Sequence, residues 1–121
     1  MGAIVNGYMT SDGDKLEEFF PGDMESFEVP VEAYIGMQGS EGFDNFVFTV
    51  VTPRKLEEKY GNNDAVFLRH FLLVKEWNAN LIKNRIEKLV SSVSGKDWQE
   101  IANKLSRYGY WEFEDVQSIK K

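Results

Sequence analysis

Between residues 27 and 37 the chain alternates. Phe27, Val29, Val31, Ala33 and Ile35 fall on one side, and Glu28, Glu32 and Tyr34 on the other. A period of two predicts a strand with one buried face. Pro30 lies inside it without an N–H to give, which points to an edge position or a bulge. Residues 43–52 are apolar on both sides, with Phe46, Phe48 and Val50 on one face and Val47, Thr49 and Val51 on the other, as expected of a central strand. Residues 3–9 read as a short strand and Ser11 to Asp14 as a turn. Residues 15–26 read as a loop with one helical turn at most, interrupted by Pro21-Gly22. Pro53 opens a short helical stretch to Tyr60, which Gly61 ends.

Residues 66–76 read as a further interior strand. Asn78 is then placed to cap a helix whose apolar stripe is Ile82, Ile86, Leu89, Val90 and Val93, with Gly95 at its end. Asp97 starts a second helix with Glu100 three residues on, a pattern resembling a capping box, and Trp98, Ile101, Ala102 and Leu105 form its stripe. Gly109 ends it, and Tyr110 to Glu114 reads as a final strand with Trp111 and Phe113 on one face. The expected architecture is one α+β domain, an antiparallel or mixed sheet packed against two main helices with a short C-terminal strand.

Charge changes the picture more than composition does. Residues 1–64 hold 13 Asp and Glu against 4 Lys and Arg, whereas residues 65–121 hold 7 against 10, so the net −6 is concentrated in the front half. Such a field opposes nucleic acid, whose affinity comes largely from phosphate neutralisation, and favours a basic protein partner. Acidic surfaces also serve solubility alone. The length of 121 residues and seventeen aromatics provide for a single core without metal or disulfide, and there is no cysteine. With no apolar run long enough to span a bilayer and no secretory signal, a cytoplasmic, monomeric protein without membrane contact is expected.

Candidate chemistry is sparse. His70 is the only histidine and reads as a packed, hydrogen-bonded structural residue. The glycines between Gly36 and Gly42 lack the spacing and lysine of a phosphate loop, and read as a hairpin connection whose tip carries Glu41 and Asp44. Asp12, Asp14, Glu17, Glu18, Asp23 and Glu25 crowd one loop, but not at the calcium spacing of an EF-hand. No metal or other cofactor is therefore expected. Trp77 stands where strand meets helix, either as core or, if exposed, as an anchor for a partner.

A set of residues spread over the chain resembles the Immunity protein 8 family of bacterial polymorphic-toxin and contact-dependent competition systems. They are Phe19, Pro21 and Phe27; Ile35-Gly36, Gly39, Gly42, Asp44 and Phe46 to Thr52-Pro53; Arg69-His70, Leu72-Leu73-Val74 and Glu76-Trp77-Asn78; Trp98 with Glu100, Lys104-Leu105, and Trp111 to Asp115. Met37 departs from the pattern, which is expected to place proline after Ile-Gly. The resemblance covers about residue 8 to 116. It implies a non-catalytic α+β protein that binds and neutralises the C-terminal domain of a cognate toxin. Nucleases, whose substrate channels are basic, are one class of such toxins. The resemblance carries over no binding residues; the acidic front half and the strand–helix junction supply the partner-binding candidates, Asp12, Asp14, Glu17, Glu18, Asp23, Glu25, Glu41, Asp44 and Trp77. The alternatives are a small acidic adaptor or scaffold and an enzyme working through paired carboxylates.

Overall fold

The structure, a computed structural model, describes residues 2–114. Asp115, the last residue of the family pattern, lies outside them. Strands β1 (Ala3–Thr10), β2 (Glu28–Met37) and β3 (Asp44–Val51) form an antiparallel meander. Helix α1 (Pro53–Tyr60) follows, then β4 (Phe71–Leu73), α2 (Ala79–Ser92), α3 (Trp98–Leu105) and β5 (Tyr110–Trp111). β3 is central. On its far side β4 pairs parallel with Thr49–Val51, and β5 pairs antiparallel with Phe46 and Val47. The sheet is mixed and the α+β expectation holds.

Local chemistry sets the element boundaries. The Thr52 side chain accepts from Lys55 N just ahead of Pro53, Asn78 from Leu81 N and Asp97 from Glu100 N, so α1, α2 and α3 each begin at a side-chain cap. The odd-numbered residues of β2 from Val29 to Ile35 are buried with Phe46, Phe48 and Val50 of β3. Ile82, Ile86 and Val90 of α2, with Ile101, Ala102 and Leu105 of α3, belong to the same core. α2 is also tied to β1. The Tyr8 hydroxyl donates to the Glu87 carboxylate at 2.8 Å and to the Lys83 carbonyl at 3.2 Å. Burial, and then the Glu87 carboxylate, push the Tyr8 phenol up, out of the ordinary tyrosine range. A group whose folded pKa is raised contributes stability below its unfolded value, about 10, and loses it as pH climbs. Urea midpoints should therefore fall above pH ~10, and Tyr8→Phe should flatten that loss.

Three expectations need correction. Pro30 is neither at an edge nor at a bulge, since β2 lies between β1 and β3 and the β1 irregularity falls between Val5 and Gly7. Pro30 is tolerated because its carbonyl accepts from Ser11 N, just past the last residue of β1. Its missing donor therefore faces a side where the ladder has ended. The stretch 66–76 is not an interior strand. Only Phe71–Leu73 pairs, at the sheet's edge, and Val66, Phe67 and Leu68 are exposed. The last strand stops at Trp111, and Phe113 is an exposed turn residue whose ring meets Trp111 edge-on.

The glycine turn closes tightly on the sheet. A Cβ on Gly36 would stand 2.2 Å from the Gly42 carbonyl oxygen. Gly36→Ala should cost about 2–3 kcal/mol in urea unfolding, since backbone rather than a flexible side chain would have to move.

Candidate partner-binding site

The loop between β1 and β2 holds six of the nine candidates, and its apolar residues turn the acids outward. Leu16 is fully buried in a single 3-10 turn at Leu16–Glu18. Phe19 and Phe27 each pack edge-on against Trp77, with ring centroids 5.2 and 5.3 Å away. Trp77 N donates to the Met24 carbonyl at 2.8 Å, and Phe27 N donates to Thr52 Oγ1 at 3.2 Å. Short-range polar contacts shape the rest. Gly13 takes a positive φ of 93°, Asp14 N donates to Thr10 Oγ1, and Asp23 Oδ1 accepts from Glu25 N.

With those apolar side chains inserted, Asp12, Asp14, Glu17, Glu18, Asp23 and Glu25 are all exposed. Glu17 pairs with Lys83 and Glu25 with Arg54. Such exposed pairs add little to stability. The hydrogen bond from Lys83 is the main cause holding the Glu17 carboxyl below its ordinary range. Asp12, Asp14 and Glu18 make no ion pair among the described residues.

Beside this loop lies a cleft of about 420 Å³ lined by Glu17, Phe20, Met24, Trp77, Asn78, Ala79 and Asn80. Trp77 is not the exposed anchor that its position allowed. It is only 5% exposed, and its Nε1 has no hydrogen-bond partner among the described residues. The exposed apolar groups are Phe20, at 68%, and Met24, at 40%. Sequence reasoning missed both. The available signal was two large apolar residues in an acidic loop belonging to neither an alternating nor a helical stripe. Carboxylates around an apolar patch suit the stem and head of a lysine or arginine.

Glu41 and Asp44 are not part of this arrangement. Thr10 pairs with Val31, whereas Ala3 pairs with Met37, next to the glycine turn. Six residues of strand, roughly 20 Å, separate the two ends. Asp44 is also committed structurally, because its Oδ2 accepts from Trp98 Nε1 at 2.8 Å and from Trp111 Nε1 at 3.0 Å. His70 has the structural role expected of it. Its Nε2 lies 2.8 Å from the Ser106 carbonyl oxygen, although the residue precedes β4 and takes a φ of 65°. Among the described residues no group of three His, Asp or Glu stands close enough to hold a metal ion, and no helix is long and apolar enough to cross a membrane.

No curated protein and no solved structure matches the chain. The family model for Immunity protein 8 does match, over residues 4–116, nearly the whole chain and slightly beyond the stretch in which the resemblance was legible. The chain belongs to the Immunity protein 8 family.

Proposed function

We propose that this immunity protein binds the C-terminal domain of a cognate toxin through its acidic end and blocks the toxin's active site, with no catalysis of its own. The observation that carries the reading is the acidic loop, which exposes six carboxylates and, with Glu17, Phe20 and Met24, lines a cleft. A basic substrate channel, such as that of a nuclease, is the complementary surface. Unpaired exposed acids would speed encounter, and the apolar groups would hold the docked partner.

The carboxylate-enzyme reading would need a cleft acid with its pKa raised towards neutrality. Glu17, the cleft carboxylate with a resolved shift, moves the other way. The adaptor reading requires no toxin, so the two part on one experiment. The chain is co-expressed with the toxin domain encoded directly upstream of its gene, and growth is scored. Rescue by the chain and killing in its absence are expected. Killing that proceeds unabated with the folded chain present would refute the proposal.

A further inference from the structure

The acidic cleft does not end at Asn80. A second, apolar trench of about 480 Å³ shares Asn78 with it and runs along the outer side of β4, lined by Leu72, Leu73, Val74, Leu81, Lys75 and Arg85 among others. Leu73 and Leu81 are 58% and 52% exposed there. Lys75 and Arg85 have no ion pair among the described residues. The backbone at this edge also has no strand partner among the described residues. The His70 carbonyl accepts from Thr49 N, and Val74 N donates to Val51 O, so the even-numbered residues turn their polar groups towards β3. The N–H and C=O groups of Phe71 and Leu73 therefore face away from the sheet, where no described strand pairs with them.

Size argues for one partner covering both surfaces. A stable protein interface occupies roughly 20–30 residues a side, with an apolar centre and a polar rim. The acidic loop offers only the sixteen positions 11–26, of which Leu16 and Phe19 are turned into the core. Adding the β4 edge supplies the missing area and the apolar centre.

We propose that the toxin domain extends from the acidic cleft onto this edge and lays an extended segment along β4 as a further strand. Alternate apolar side chains of that segment enter the trench over Leu73 and Leu81, and an acidic side chain meets Lys75 or Arg85. Main-chain hydrogen bonds to Phe71 and Leu73 supply affinity, and the trench supplies selectivity.

This inference rests on the toxin-binding reading, and its test separates the two. The full chain and the charge-neutral Leu73→Asn/Leu81→Asn double variant are compared in binding kinetics against the toxin domain encoded upstream. Circular dichroism checks that the variant is folded, as expected for two exposed positions. The variant should dissociate about 100-fold faster, while its association rate and salt dependence stay within about two-fold of the parent. In the parent complex the Phe71 and Leu73 amides should gain protection from hydrogen exchange. Unchanged dissociation in a folded variant would overturn the edge proposal and leave toxin binding standing. A parent chain that does not bind the domain would overturn both. Self-association of the free parent, abolished in the variant, would give the edge to a second copy and overturn the proposal.

Discussion

Replacing Asp44 by alanine should destabilise the protein by about 3 kcal/mol or more, and no contact with a partner is needed for that loss. One carboxylate oxygen accepts both indole N–H groups, from Trp98 at the start of α3 and from Trp111 in β5. Phe46 lies between them. It is fully buried, stacks on Trp111 with the rings 8° from parallel, and meets Trp98 edge-on. Removing the carboxylate leaves one buried donor, on Trp111, and one half-buried donor, on Trp98, without an acceptor, each costing about 1–3 kcal/mol. Asp44→Asn keeps one carbonyl oxygen and should lose less. Urea unfolding of the two variants measures the difference. An alanine variant as stable as the parent would show that Asp44 does not hold these rings. A charge-reversal experiment at Glu41 and Asp44 therefore cannot report on an interface, because the Asp44 half of it attacks the core.

The second large effect is on association. Asp12→Lys with Glu18→Lys reverses two exposed acids, two units each, and takes the net charge from −6 to −2. Neither acid makes an ion pair among the described residues, so stability should change by no more than about 0.5 kcal/mol. The rate of binding to a basic toxin domain should fall by about 10–100-fold at low ionic strength, and the gap should narrow as salt is added. Stopped-flow association across a salt series checks this. A salt-independent loss would mean that the lysines disturb packing rather than long-range attraction.

Much of the fold was legible because local chemistry and burial agree along most of the chain. Alternation marked β2, apolarity on both faces marked β3 as central, and Asn78 and Asp97 marked helix starts that the structure keeps. The stretch 66–76 failed for a topological reason. Its apolar run has the composition of a buried strand, but β5 occupies the β3 edge at Phe46 and Val47 and leaves room for only three residues of β4. The left-handed turn at His70 then takes Val66 to Leu68 away from the sheet, where they are exposed. No periodicity reports how an edge is shared between two later segments.

The spatial grouping of the candidate residues was legible by half. Charge segregation drew attention to the front of the chain, and the structure gathers Asp12, Asp14, Glu17, Glu18, Asp23 and Glu25 on one loop against buried Trp77. Charge alone also put Glu41 and Asp44, at the tip of the β2–β3 connection, among the same candidates. Antiparallel pairing sends them to the other end of β2, and only the fold brings Trp98 and Trp111, 54 and 67 positions away, onto Asp44.

The chain has no cysteine, so a single introduced thiol can carry a photo-crosslinker to one chosen end of the molecule. Glu18→Cys places it on the acidic loop and Glu41→Cys on the opposite turn, both at exposed positions. Each labelled protein is irradiated with the toxin domain encoded upstream. Docking through the acidic end predicts a covalent adduct from position 18 and none from position 41. An adduct from position 41 alone would contradict it.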